Sequence, residues 1–320
     1  MLLSRVAANL YWAARYLERA EGTARIVREH TSLFVDSPSS LRLSWDPLLA
    51  VTGGESMFDD MDNQRSETDI VHFLLSEQRN PGSIQASVGS ARENLRSARE
   101  VFPIPAWFVV NDLHLYVTSR VEEGLHRRSR ARFLGHVITE HQRLIGVLTS
   151  TMTRDDAYTM MRLGRHIERA DMALRVLDVR AGQLLKSREP QELLYDDLQW
   201  LSMLKSLSAA QMYQRQTLLH GEGSGPIGFV LHEPSFPRSV AYSLASARES
   251  AARLPNPTPV LATIDHARDM LGAVDPSTLD DVKLHDTVDR LEVAIGSIHK
   301  AADAAYFGAS AESVVRDVAV

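Results

Sequence analysis

The segment Arg15-x-x-Glu18-Arg19-Ala20-Glu21-x-x-x-Arg25 returns 150 residues later as Arg165-x-x-Glu168-Arg169-Ala170-Asp171-x-x-x-Arg175. Two further segments recur behind it in the same order. Trp45-x-x-Leu48-Leu49 is matched by Trp200-x-x-Met203-Leu204 at an offset of 155. Pro81-x-Ser83-Ile84-x-x-Ser87-x-x-Ser90-Ala91-Arg92-Glu93 is matched by Pro237-x-Ser239-Val240-x-x-Ser243-x-x-Ser246-Ala247-Arg248-Glu249 at 156. Small loop insertions produce a drift of this size, so three colinear matches read as a tandem duplication. Such a chain must build the same unit twice, and a charge kept in both copies is under a constraint that its neighbours escaped.

Both copies read as helix. Leu3, Val6, Leu10, Ala13, Leu17, Ala20, Ala24 and Val27 alternate steps of three and four, the spacing of an apolar stripe on a helix. Met160, Leu163, Ile167, Ala170, Leu174, Leu177, Ala181 and Leu184 repeat that stripe, with Thr153 and Asp156 at capping-box spacing ahead of them. The third segment is expected to open a helix in each copy, with Asn80 as cap before Pro81 at the first helical position and Pro237 placed likewise. Further helices are expected over 67–78, 104–129, 131–150, 191–219, 258–273 and 278–305, and long loops over 36–66 and 220–236. The expectation is an all-α helical bundle of two pseudo-repeats, 1–150 and 151–305, related by a pseudo-twofold axis within one compact structural domain, with a tail over 306–320.

With 44% hydrophobic and 24% charged residues, few aromatics and abundant Ala, Leu, Arg and Glu, the 320-residue chain can bury a core and favours helix over disorder. Its formal charge of −6 has no general attraction for a phosphate backbone, and the basic run Arg127, Arg128, Arg130 and Arg132 lacks interleaved aromatics. That run reads as a solvated helix face, and nucleic acid is not an expected partner. The absence of Cys excludes disulfides, thiolate zinc sites and cysteine nucleophiles, and fits a reducing compartment. No apolar run reaches the roughly 20 residues of a membrane span. Arg5, Arg15, Glu18 and Arg19 interrupt any signal-like core, so a cytoplasmic location without membrane association is expected.

Within the repeated motif, Glu21 reaches Arg25 at i,i+4, which on a surface is worth about 0–1 kcal/mol. Retention in both copies points to a partly buried network, where losing one partner costs roughly 3–5 kcal/mol. The specific expectation is reciprocal: Glu18 faces Arg165 or Arg169, and Glu168 faces Arg15 or Arg19, across the pseudo-twofold. Three roles stand open for these residues, namely a structural network, a ligand or partner site built from it, and solvated decoration. The stripe Ser83, Ser87, Ser90 and its copy Ser239, Ser243, Ser246, Ser250 suit close helix crossings. The alternative is a polar pocket of Asn80, Ser83, Ser87, Arg238, Ser239 and Ser243, because helix N-termini favour anions.

Other motifs carry less. Gly223-x-Gly225-x-x-Gly228 matches the dinucleotide fingerprint by letter only, since no strand precedes it and Pro226 lies inside it; it reads as a flexible loop. Glu123-x-x-His126 has the spacing of ferritin-like di-iron helices without the second copy they need, and His136, His141 and His166 read as ordinary helix residues. No metal and no cofactor is expected. No Gly-x-Ser-x-Gly elbow, P-loop or paired-carboxylate pattern names a reaction.

The opening Leu10-Tyr11-Trp12-Ala13-Ala14-Arg15-Tyr16-Leu17-Glu18-Arg19-Ala20-Glu21, the segment Asn80-Pro81-Gly82-Ser83-Ile84, the second Leu163-Gly164-Arg165-His166-Ile167-Glu168-Arg169-Ala170-Asp171, and Phe236-Pro237-Arg238-Ser239-Val240 together resemble the alpha-E domain family. The resemblance runs over roughly residues 1 to 305. It implies a helical protein encoded beside, or fused to, a circularly permuted ATP-grasp protein, often with a transglutaminase-like protein and sometimes a proteasome-like peptidase. It carries the family's motif onto Arg15, Glu18, Arg19, Glu21 and Arg25, and onto Arg165, Glu168, Arg169, Asp171 and Arg175, with Asn80, Ser83, Arg238 and Ser239 following from the two Pro-Ser segments. Phe236 stands where the first copy has Asn80, which breaks the symmetry of a capped pair.

The expected function is a non-catalytic helical partner of an ATP-grasp-type ligase in an amide-forming or peptide-modifying pathway, recognising substrate, carrier or partner through its Arg/Glu helices. One alternative is an enzyme in its own right, with arginines gripping a carboxylate or phosphate and Glu18 or Glu168 as acid or base. A structural scaffold without a ligand is the other.

Overall fold

A computed structural model describes residues 2–36, 43–61, 63–186, 196–220 and 225–308, and among these the chain is helical with no strand. The first half comprises α1 (Ser4–Asp36), α2 (Pro47–Thr52), α3 (Glu55–Asp60), α4 (Glu67–Leu75), α5 (Ile84–Ser97), α6 (Ile104–Leu125) and α7 (Arg127–Thr151). The second comprises α8 (Asp156–Lys186), α9 (Asp196–Ser206), α10 (Ala210–His220), α11 (Gly225–His232), α12 (Val240–Ala251), α13 (Thr258–Gly272) and α14 (Asp281–Ala302), which continues into a π-helical turn over Asp303–Phe307. No helix among the described residues is long and apolar enough to cross a membrane.

The two long motif helices lie at the centre. α1 packs on α8, with α5 and α7 covering its other sides; α12 and α14 cover α8 in the corresponding way. The short helices cross over, α2 resting on α8 and α9 on α1. Covered from several directions, α1 buries more than the expected stripe. Leu10, Ala13, Leu17, Ala20, Ala24 and Val27 are buried, and so are Tyr11, Ala14, Tyr16, Glu18 and Glu21. A helix enclosed on all sides carries its polar positions into the interior with its apolar ones, which is how the motif charges come to be buried. Leu3, expected to start the stripe, lies ahead of the helix and is exposed. On α8, Met160, Leu163, Ile167, Ala170, Leu174 and Leu177 are buried, while the side chains of Ala181 and Leu184 lie outside the described residues.

Several boundaries differ from the sequence reading, each for a local reason. α8 is capped by Asp155, whose carboxylate accepts from the Ala157 and Tyr158 amides, and not by Thr153. α5 and α12 begin after Ser83 and Ser239, whose hydroxyls accept from the Ala86 and Tyr242 amides. Asn80 instead holds the preceding turn, accepting from the Gly82 amide and donating to the Phe73 carbonyl. The span read as one helix over 191–219 is two, broken where Ser208 adopts φ 54°; residues 191–195 lie outside the described set. The loops read over 36–66 and 220–236 contain α2, α3 and α11, so Gly225 and Gly228 belong to an apolar helix and not to a flexible loop. Residues 221–224, Gly223 included, are outside the described set, as are 309–320 of the tail. The tail boundary moves past Phe307, which is buried with its ring 5.1 Å from that of Tyr11.

The basic run is also corrected. α6 ends at Leu125 because Arg130, only 2% exposed, turns back to donate to the Gly124 and Leu125 carbonyls. Its guanidinium also pairs with Glu67 at 2.8 Å and lies over the Trp45 ring. It is a core residue, while Arg127, Arg128 and Arg132 stay exposed.

A candidate anion-binding cavity beside the paired motif helices

α1 and α8 approach closely because glycines stand at the crossing. A Cβ on Gly164 would lie 2.5 Å from the Tyr11 carbonyl oxygen, and one on Gly22 would lie 2.9 Å from Cε of Met172. Met172 is the residue 150 positions on from Gly22, so equivalent points of the two helices meet.

At this crossing the motif charges pair between helices. Glu168 accepts from Nε of Arg15 at 2.7 Å and from Nε and Nη2 of Arg19 at 2.5 and 3.3 Å. Glu18 accepts from Nε and Nη2 of Arg169 at 2.6 and 3.0 Å, and from Nη1 of Arg238 at 3.4 Å. Burial alone would raise both carboxyls, but the guanidiniums dominate: Arg169 and Arg238 hold Glu18 well below the usual carboxylate range, and Arg19 with Arg15 brings Glu168 to about 2. Both are ionised at neutral pH.

The outer motif residues reach into the opposite half. Arg25 pairs with Glu21 and also donates to Ser208 at the break after α9. Arg175 pairs with Asp171 at 2.9 Å and lies across Gly53, at the end of α2. Gly53 and Ser208 stand 155 residues apart, and both have left-handed backbones, at φ 67° and 54°. Arg238 completes the network by donating to Glu21 at 2.8 Å.

The helix-start pocket takes a different form. Asn80, Ser83, Ser87, Ser239 and Ser243 are buried; Ser83 and Ser239 cap their helices, and Ser87 donates to the Pro81 carbonyl. Arg238 is drawn away to Glu18 and Glu21. These residues form two separate helix starts, one in each half.

The pairing leaves one member out. Arg15 is bound to Glu168, but Arg165, 150 positions on, makes no hydrogen bond or ion pair among the described residues, and its Nε is buried without a partner. Arg238 explains this, because it occupies Glu18 from the residue just ahead of α12's cap, where the first half has Gly82. His141 of α7 also approaches Glu18, at 3.6 Å. Burial and the neighbouring Arg169 both press the Arg165 guanidinium downward from its ordinary pKa.

Arg165 lines a cavity of about 410 Å³, within the usual size of small-molecule sites. Arg162, Arg165 and Arg169 enter it from one face of α8, with Arg154 ahead of that helix and Arg253 behind α12. Glu249 is the one carboxylate in the lining. Tyr158, Tyr242, Ile145 and Pro237 supply the less polar walls. His166 also faces the cavity, kept neutral by burial and by Arg165, with its Nδ1 unpartnered. By contrast, the void between Glu18, Gly22, Met172 and Arg238 measures about 20 Å³, room for one water. The motif therefore forms a closely packed interface at its centre and a cationic cavity on one flank.

Sequence reading reached the motif, with Arg165 and Arg169 of the cavity wall, but took Arg130 for a solvated residue and His141 and His166 for ordinary helix residues, and did not single out Ser208, Arg154, Arg162, Tyr158 or Tyr242. A signal existed: Trp12 and Tyr16 are replaced 150 residues on by Arg162 and His166, an aromatic-to-basic change beside an otherwise retained motif. Elsewhere Asp178, His285 and Asp289 bring possible ligand atoms within 4.8 Å of one another, but His285 and Asp178 already bond each other.

Among curated proteins the chain is similar to the uncharacterized proteins Mb2597 of Mycobacterium bovis and MT2643 and Rv2567 of Mycobacterium tuberculosis, each 23% identical over 273 residues. The match covers 78% of this chain and 30% of each relative, so the chain corresponds to under a third of their length. No solved structure matches it significantly. The family described as "Alpha-E: a predicted alpha-helical domain with a conserved ER motif" matches residues 2–307. Matched over nearly its full length, with the Glu-Arg pairs of that motif joining its two central helices, the chain belongs to the Alpha-E family.

Proposed function

We propose that this chain is a non-catalytic recognition module that acts with an ATP-grasp-type ligase in an amide-forming or peptide-modifying pathway, presenting its second motif helix to an anionic substrate, carrier or partner group. One observation carries the binding half of this reading: of the arginines closest to the motif crossing, Arg165 alone lacks a partner among the described residues, and it lines the cavity. The ligase half follows the family resemblance. It is supported by the lack of a nucleotide-binding motif in this chain and by the greater length of its relatives, which leaves room for a second activity beside the matched region.

The general-acid form of the enzyme alternative is disfavoured. A general acid needs a carboxyl raised towards neutral pH, whereas Glu18 and Glu168 are held down by two guanidiniums each. A bare scaffold would account for the paired charges but not for an unpaired Arg165.

The test is co-purification and calorimetry with the ATP-grasp protein encoded nearest to this chain, together with that protein's ligase rate. A complex and a changed rate, with Arg165→Met weakening the rate effect, are expected. No complex and no rate effect would sink the ligase reading.

A further inference from the structure

We propose that the cavity over α8 is a binding site for a small phosphorylated molecule, a phosphomonoester with an organic body. This deepens the binding half of the reading above and is independent of the ligase half.

Charge selects the head group. Glu249 is shared between Arg162 at 2.6 Å and Arg253 at 2.8 Å, and Arg169 is matched by Glu18. Arg165 and Arg154 have no carboxylate among the described residues; Arg154 lies over the Tyr158 ring, 4.0 Å from its centre. At least two positive charges are thus uncompensated around one cavity. A carboxylate brings a single negative charge, whereas a phosphomonoester brings about −1.5 to −2 at neutral pH.

Geometry points the same way. One guanidinium satisfies a planar carboxylate in a fork, but here guanidiniums converge from α8, from the turn before it and from the end of α12. A tetrahedral group with three terminal oxygens can meet several of them. The buried Nε of Arg165 and Nδ1 of His166 are both without partners. Those two atoms are closed to solvent, so a ligand meets Arg165 through its Nη groups, whose charge no carboxylate among the described residues offsets. The remaining space is flanked by Tyr158, Tyr242 and Ile145, which suit an organic body better than hydrated phosphate.

Among the described residues the first half has no equivalent site. Trp12 stands 150 residues before Arg162 and Tyr16 before His166; Trp12 packs against Tyr16 at 5.6 Å and against His299 at 4.9 Å, and Arg15 is bound to Glu168. One site per chain follows.

Isothermal calorimetry of the full chain at low salt with phenyl phosphate, inorganic phosphate and benzoate tests this. The expected result is one phenyl phosphate per chain, bound at least tenfold more tightly than benzoate and measurably more tightly than inorganic phosphate. Arg165→Met should weaken phenyl phosphate at least tenfold, and Glu249→Gln, which removes the lining's only carboxylate, should tighten it. If Arg165→Met does not fold, Arg154→Ala on the exposed rim serves instead, with a loss of threefold or more. Absence of saturable binding, benzoate binding as tight as phenyl phosphate, or unchanged affinity in the arginine variant would overturn the proposal. Equal affinity for inorganic phosphate would overturn the organic body, and binding of all three at crystal-like concentrations alone would mark an adventitious anion only. Because the isolated chain is used, failure here leaves the ligase reading to its own test.

Discussion

Replacing Glu168 by Gln keeps the shape of a fully buried side chain and removes the charge that Arg15 and Arg19 share. The two guanidiniums respond differently. Arg19, with its side chain 23% exposed, can turn to water; Arg15, at 10% and packed over Trp12, cannot. One buried cation is therefore left unmatched, a change that costs about 3–5 kcal/mol. The lowered carboxyl points the same way: held at about 2 in the fold against its usual 4.5, it contributes on the order of 3 kcal/mol at neutral pH. The sign follows from the lowered value. This contribution is present above the ordinary carboxyl range and is lost as pH falls from about 4.5 towards 2. With an unfolding entropy of about 0.7 kcal/mol/K for a chain of this length, Glu168→Gln should lower Tm by about 5 °C in calorimetry at pH 7. The gap between wild type and variant should close as the pH is lowered towards 2. Arg165→Met, which removes a half-buried cation that has no partner among the described residues, should leave Tm unchanged or raise it. A shift under about 1 °C for Glu168→Gln, or a large loss for Arg165→Met, would refute the division into a paired core and a free cavity arginine.

Three further outcomes are expected. Gly164→Ala should destabilise by about 1–3 kcal/mol, since its methyl meets rigid backbone, whereas Gly135→Ala, with nothing within 4 Å, should stabilise α7 by about 0.5–1 kcal/mol; urea unfolding of both separates crossing from propensity. Ser87→Ala should cost about 1 kcal/mol through the lost bond to Pro81, but Ser243→Ala should be neutral or stabilising because that hydroxyl is buried without a partner. Asp178→Asn should lower the His285 titration seen by NMR towards its ordinary range, as the hydrogen bond from Asp178 is the main cause of its raised pKa. Any stability that bond gives is present below the ordinary histidine pKa and lost as pH rises through the raised one.

Helix content and the central place of the motif could be read from the chain because they depend on local spacing. The stripe from Leu10 to Val27 has a period that a helix alone satisfies, and charges retained at Arg15, Glu18 and Arg19 could be matched to Glu168 and Arg169 by asking which partners a buried copy would need. Boundaries were less legible where a side chain folds back on carbonyls five to seven residues earlier, a contact that helical spacing does not record. Arg130 ends α6 by reaching back to its carbonyls, and Asn80 is drawn from the cap position to the Phe73 carbonyl.

The sequence by itself determined that two similar helices would carry the same series of positive and negative charges in the same order, since that pattern is written in residue spacing. Which arginine would be left over was decided only in three dimensions. Glu18 can accept only a few guanidiniums, and folding brings Arg238, 220 residues away, close enough to compete for it. Arg165 then faces the cavity because its acceptor is already occupied, a consequence of tertiary crowding that no local pattern around Arg165 records.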